Sequence, residues 1–250
     1  MPLIRRVEEC AFSSWPALQQ IIDDGWVLRF ADGHSKRANS ANPTYPSTGA
    51  PDAKIARVEA AYRRRNLPVI FRLTPLAEPA ELDRRLAERS YRRADPSRAL
   101  ILSDLAALDR PGIPAELSLV QAPRPTALWL ASFDRIQPVA PAKRRAFEAI
   151  LRAIAAPACF MSLFEGTEPV AILLGVISDG WLGIYDVATV PTRRGQGLMR
   201  VLLGELGAWA RQAGASSSQL FVLAGNAPAE RLYERLGWRE LYRYHYRILG

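Results

Sequence analysis

The sequence predicts an α+β protein made of two tandem units, each a mixed, mostly antiparallel sheet flanked by helices. Three observations lead there. Residues 143–250 alternate between stretches of helical periodicity and stretches of strand periodicity. Residues 1–125 repeat that order at a nearly constant offset. A Pro-rich stretch, 108–126, lies between the two.

In the second half, "KRRAFEAILRAI" (143–154) places Ala146, Phe147, Ile150, Leu151 and Ile154 on one helical stripe. Residues 158–190 read as three strands, with turns near Gly166 and at Asp179-Gly180. Beyond a loop rich in Gly and Arg, Leu198, Val201, Leu202, Leu206 and Trp209 recur at helical spacing, with Arg200, Arg211 and Gln212 opposite. "SQLFVL" (218–223) is a strand. "APAERLYERLGW" (227–238) is a short helix, with Pro228 in its first turn and Gly237 past its end. "ELYRYHYRIL" (240–249) sets Tyr242, Tyr244, Tyr246 and Ile248 on one face of a closing strand.

In the first half, Phe71, Leu73, Leu82, Arg85 and Leu86 fall on Phe221, Leu223, Leu232, Arg235 and Leu236 at an offset of 150. "DGW" occurs at 24–26 and again at 179–181, an offset of 155. "KIARVEAAYRRR" (54–65) occupies the slot of the helix that follows the Gly loop, and "SKRANSANP" (35–43) that of "YDVATVP". The expected units are 1–120 and 127–250. They differ at chemically loaded positions: Tyr45, Pro46 and Ser47 stand where the second unit has Gly195, Gln196 and Gly197, Leu76 stands for Asn226, and Asp83 for Tyr233. The first copy keeps packing residues and lacks the loop.

Composition excludes several classes. The longest apolar run, "AILLGVI" at 171–177, is too short to span a membrane. Glu8 and Glu9 interrupt the N-terminal segment where an export signal needs an apolar core, so a cytoplasmic location is expected. Cys10 and Cys159 make no disulfide framework, and with two scattered histidines they offer no metal site. The net charge of +8 is spread evenly, with 19 basic and 15 acidic residues in 1–125 and 14 and 10 in 126–250. A diffuse excess without interleaved aromatics suits an anionic small molecule rather than nucleic acid.

The stretch "VPTRRGQGLMRVLL" (190–203) carries the functional signal. Backbone N–H groups at a helix N-terminus lack intrahelical partners and sit at the positive end of the helix dipole, so they bind phosphate. Glycines let the backbone approach the oxygens. Arg193, Arg194 and Arg200 add positive charge.

The loop Arg194-Gly195-Gln196-Gly197-Leu198-Met199 resembles motif A of the GNAT superfamily of acyl-CoA N-acyltransferases, with Met199 where that family carries Gly or Ala. A second family element, Asn-x6-Tyr, matches at Asn226 and Tyr233. The resemblance covers about 127–250 directly and 1–125 only through the internal repeat. It is similar to tandem family members in which one copy is degenerate. It implies an acetyl-CoA-dependent N-acetyltransferase acting by direct transfer to an amine, with no metal. The acceptor stays open among small molecules (amino acid, polyamine, antibiotic), a peptide N-terminus and a protein lysine, and the oligomeric state is not readable. An acyl-CoA-binding sensor without catalysis is the competing class.

The resemblance further implies that the backbone of Val187, Ala188 and Thr189 pairs with the pantetheine arm, that Arg194 to Arg200 and Asn226 serve the cofactor, and that Tyr233 protonates the departing thiolate. For the general base, Tyr185 and Asp186 both precede the loop. Strand alternation puts them on opposite faces and its parity favours Tyr185 and Gly183, unless a bulge reverses it; a water relay is a further alternative. Cys159 reads as a buried small hydrophobe, His245 as solvated on the outward face of a strand, and His34 as a turn residue. "GHSKRANSANP" (33–43) has two readings: a wall of the acceptor cleft contributed by the first copy, or a turn and edge strand. No Gly-x-Ser-x-Gly element and no P-loop is present.

Overall fold

The computed structural model describes residues 1–249. Seven helices and eleven strands are found there: α1 (Pro2–Ser14), β1 (Gln19–Asp23), β2 (Trp26–Phe30), β3 (Ala41–Pro43), α2 (Pro51–Arg63), β4 (Ile70–Leu73), α3 (Leu82–Glu88) and β5 (Tyr91–Leu102), then β6 (Leu117–Ala122), α4 (Ala127–Ile136), α5 (Pro141–Ala153), β7 (Ala158–Glu165), β8 (Glu168–Ser178), β9 (Trp181–Thr189), α6 (Leu198–Gln212), β10 (Ser217–Leu223), α7 (Ala227–Arg235) and β11 (Arg239–Leu249). Proline in the first turn opens α1, α2, α5 and α7, where its missing N–H costs no helical bond.

The two "DGW" triplets turn equivalent hairpins. Asp24 and Gly25 have φ of 44° and 82°, and Asp179 and Gly180 have 48° and 73°, the left-handed pair that a two-residue hairpin requires. Asp23 then faces Trp26, and Ser178 faces Trp181.

The expectation of a separate sheet in each unit is corrected. All eleven strands form one sheet, in the order β1-β2-β3-β4-β11-β5-β10-β9-β8-β7-β6. The reason is an interleaving at its centre. The last strand of the first half, β5, pairs antiparallel with β10 of the second. The last strand of the chain, β11, pairs antiparallel with β4 of the first half, and β5 and β11 pair with each other. Two neighbouring pairs run parallel, β3 with β4 and β9 with β10. The Pro-rich stretch contains β6, which edges the sheet beside β7.

Helices cover both faces. On one, α6 buries Leu202, Leu203 and Leu206 against β7 and β8, so closely that a Cβ on Gly175 would lie 2.5 Å from Leu206 Cδ1. On the other, α4 and α5 bury Trp129, Phe133, Phe147 and Ile150. The helix α1 joins both halves: Arg6 ion-pairs with Asp179 at 2.6 Å, and buried Glu8 ion-pairs with Arg72 of β4 and accepts from Tyr242 of β11. Cys159 is buried, as its apolar strand implied. His245 is not solvated; its ring lies 2.9 Å from Asp83, which also takes a hydrogen bond from Arg247.

Candidate active site

The site begins where two parallel strands part. β9 and β10 pair only at Trp181–Ser217, Leu182–Ser218 and Gly183–Gln219. Beyond Gly183 they diverge, which leaves the β10-facing edge of β9 from Ile184 onward without a strand partner. A cavity of about 600 Å³ fills the fork, walled by Ile184 to Val187 of β9 and Leu220 to Leu223 of β10. Gly183 is confined at the apex: a Cβ there would lie 2.8 Å from the Tyr185 ring and 2.9 Å from Gln219 Nε2.

A bulge overturns the strand alternation expected at Tyr185 and Asp186. Across it, Ile172 pairs with Ala188 and Leu174 with Tyr185, so β9 holds one residue more than β8. Asp186 takes the left-handed conformation, φ 49°, which Asp tolerates better than most residues. Tyr185 and Asp186 therefore both line the cavity. Tyr185 stacks on Trp15 with ring centroids 5.5 Å apart, and its hydroxyl accepts from Gln219 Nε2 at 3.2 Å. Burial pushes its phenol up, so it stays protonated. Asp186 Oδ2 is buried without a hydrogen-bond partner among the described residues. Burial pushes its carboxyl up to about 7, against the pull of the nearby Arg37 guanidinium.

At the other end of β9, Val187 lines the cavity, while Ala188 and Thr189 continue half-buried towards the loop. Gly195 and Gly197 have φ of 77° and 80°, and an added Cβ on either meets nothing within 4 Å. The glycines serve backbone conformation and leave the N-terminus of α6 open. Leu198 and Met199 point into the core, so only their backbone N–H groups face outward to a ligand. Arg194 is exposed, its Nε 3.4 Å from the Thr189 carbonyl, and Gln196 accepts from Arg193 at 2.6 Å. The expected surplus of free charge is smaller than the sequence implied: Arg193 is ion-paired with Glu165, and Arg200 with Asp109.

Asn226 and Tyr233 reach the cavity from α7. Asn226 caps that helix, accepting from the Ala229 N–H at 3.4 Å. Tyr233 is 5% exposed, its ring edge-on to Trp238 at 5.8 Å, and burial raises its phenol well above the ordinary value.

The remaining wall comes from the first half. His34, Ser35, Lys36 and Arg37 line the cavity, while Ala41–Pro43 form β3 between β2 and β4, so 33–43 is a turn that faces the cavity followed by an interior strand, not an edge one. The ring of His34 lies 5.0 Å from Phe147. Asp95 and Ser97 of β5, with Tyr244 and Tyr246 of β11, complete the wall because the interleaved strands sit beside β10. The tyrosines of β11 thus belong to the site, which period-2 reading alone left unassigned.

At the positions 150 residues before Leu198 and Met199, the N–H groups of Thr48 and Gly49 are already taken. They donate to the Asp24 carboxylate at 3.0 Å and 2.8 Å, and Lys54 Nζ lies 3.1 Å from the same oxygen. The Gly49 N–H and Lys54 hold the Asp24 carboxyl down to about 2.

Among the described residues no cluster of His, Cys, Asp and Glu could hold a metal ion, and no helix is long and apolar enough to cross a membrane. A family model described as "Probable histone acetyltransferase Rv0428c C-terminal" matches residues 2–247. The chain is 26% identical over 246 residues to an uncharacterized N-acetyltransferase, YobR, of Bacillus subtilis (strain 168), with 98% of each chain covered. A GCN5-related N-acetyltransferase from Kribbella flavida superposes with a TM-score of 0.73 at 18% identity, covering 98% of this chain and 95% of that one. A tandem GNAT protein from the clavulanic acid biosynthesis pathway superposes with a TM-score of 0.65 at 14% identity, covering 90% and 77%. The fold is therefore GNAT-like, with a mixed sheet and flanking helices.

Proposed function

The chain belongs to the Rv0428c acetyltransferase C-terminal family, and on that premise we propose that it moves an acetyl group from acetyl-CoA directly to a primary amine in the β9–β10 fork. The observation that carries this reading is the fork itself: an unpaired strand edge runs from an unpartnered buried carboxylate, Asp186, to an open helix N-terminus behind Gly195 and Gly197. The α6 N–H groups and Arg194 hold the pyrophosphate. The backbone of Val187 to Thr189 pairs with the pantetheine arm, and a backbone N–H at the fork meets the carbonyl oxygen as negative charge develops there.

Asp186 accepts the proton of the acceptor ammonium, and the free amine attacks the thioester carbonyl. As the tetrahedral intermediate collapses, the C–S bond breaks, Tyr233 donates its proton to the departing CoA thiolate, and the surplus proton on the new amide nitrogen returns to the Tyr233 oxygen. The buried phenol keeps that proton at neutral pH, so Tyr233 is not the base. Between the two candidates on β9, the base is Asp186 and Tyr185 is wall.

The same reading takes the chain as two GNAT-like units, 1–120 and 127–250, the first degenerate. Its support is the shared element order, the shared hairpin turn and the internal carboxylate that fills the first unit's cradle. The test is CoA-thiol release from acetyl-CoA with a panel of amines, for wild type and Tyr233→Phe. Wild type turns over, and the variant binds acetyl-CoA normally but turns over about 10²–10⁴-fold more slowly. CoA that co-purifies without turnover of any amine would instead make the protein a sensor.

A further inference from the structure

The cavity presents five groups that can carry charge: His34, Lys36, Arg37, Asp95 and Asp186. Burial holds the His34 imidazole below its usual value and favours its neutral form. Lys36 and Asp95 satisfy each other at 2.6 Å. Arg37 and Asp186 are left over. The Arg37 guanidinium lies 4.8 Å from the Phe221 ring centroid and 5.7 Å from that of Tyr185. Its neighbours of opposite tendency are the phenols Tyr185, Tyr244 and Tyr246 and the Asp186 carboxyl itself, yet among the described residues no carboxylate lies within ion-pair distance of it. Its Nε is buried with no hydrogen-bond partner, as is Asp186 Oδ2.

An unpartnered buried donor or acceptor is costly, and a buried charge without a counter-ion more so. One cavity here holds one of each sign, both outside the machinery that binds the cofactor. A ligand with an ammonium at one end and an oxyanion at the other satisfies both.

Resting on the acetyltransferase reading above, we infer that the acceptor is a small amino acid-like molecule, a primary amine and a carboxylate on one framework, and that Arg37 binds the carboxylate while Asp186 receives the amine. The planar fork of a guanidinium fits a carboxylate with two parallel hydrogen bonds. A lysine side chain of a protein is the rival occupant. It would satisfy Asp186 and leave Arg37 Nε without a hydrogen-bond partner, and a cavity of about 600 Å³ that also holds the acyl arm suits the smaller molecule better. The assignment gives the first half a task in the reaction: residues 34–37 close the acceptor end from a unit that holds no cofactor of its own.

The experiment compares kcat/KM on the intact chain for free amino acids, their amides, the matching decarboxylated amines, and a lysine peptide with a blocked N-terminus. Wild type is expected to prefer the free acid over its amide by about 10²-fold, because the amide leaves the guanidinium without its anion. In Arg37→Gln the ratio of acid to amide falls to near one, chiefly through KM, and Arg37→Lys, which keeps the charge and loses the fork, is intermediate. The backbone carbonyl of Arg37, which accepts from Arg29 Nη1 at 2.9 Å, is untouched by either change. The wild-type ratio needs no variant and stands even where a variant fails to fold. Equal rates with acid and amide, or a preference for the peptide, overturn this inference and leave the acetyltransferase reading intact. Acetyl-CoA binding with no turnover of any amine overturns both.

Discussion

Asp186 is a half-buried carboxylic acid whose ionisation costs stability and, in the proposed mechanism, supplies the base. Its carboxyl is raised from the ordinary 3.8 to about 7 in the folded chain. The stability that the neutral acid lends is complete below about pH 4 and is lost as pH rises through about 7. Asp186→Asn removes that loss, and Asn accepts the φ of 49°. Thermal melts should show the variant gaining on wild type as pH rises from about 4 to about 7, then holding a constant lead. Turnover should move the other way: wild-type kcat/KM rises with pH through about 7, and the variant loses about 10²–10⁴-fold. A variant with normal turnover and no pH-dependent gain would make Asp186 a bystander. At this scale the sequence was legible where a motif fixes a position. Asn226 and Tyr233 line the fork, and Gly195 and Gly197 lead into α6. Asp186 was named as a candidate, but its place in the cavity was not legible from alternation, because a bulge that depends on how β9 meets β8 breaks it. Nor was the pairing of Arg200 with Asp109, residues 91 positions apart.

The loop before α6 and its counterpart before α2 show one device used in two ways. In the first half an internal carboxylate occupies the N–H groups; in the second, among the described residues, no side chain does. Gly197→Asp introduces a side chain at φ 80°, which strains the backbone by about 1 kcal/mol or more, and sets a negative charge against the pyrophosphate. Calorimetry should find acetyl-CoA affinity lowered by at least tenfold with the fold retained. Asp24→Asn keeps the shape of the first loop and removes the charge opposite Lys54, which is 0% exposed. Its melting temperature should fall below that of wild type. The Asp24 carboxyl is held to about 2, so its contribution is present above about pH 4 and lost as pH falls through about 2. The gap between wild type and variant should therefore close on acidification. A variant as stable as wild type at neutral pH would show that the carboxylate does not hold the loop. The helices and strands around both loops were readable from periodicity. The Asp24 contact was not, since it joins residues 24 and 25 positions apart across a turn.

At the scale of the molecule, the exchange of β5 and β11 binds the halves into one sheet. Each half on its own would present the strand beside the exchange without its partner: β10 without β5, and β4 without β11. Residues 1–120 expressed alone should show no cooperative melt, while the full chain unfolds in a single transition monitored by circular dichroism; two separable transitions would contradict this. The interleaving could not be read from sequence because β5 and β11 are both antiparallel to their neighbours, and local periodicity does not name a partner. The repeat predicted two similar units, and it takes topology to see that the second unit's cavity is walled by the first. The central claim is one transferase centre per chain, in the β9–β10 fork. Titration calorimetry with acetyl-CoA tests it most directly. One molecule should bind per chain, with binding abolished or strongly weakened by Gly197→Asp and unaffected by Asp186→Asn; two molecules per chain, or one whose affinity ignores Gly197→Asp, would rule out a single centre in the fork.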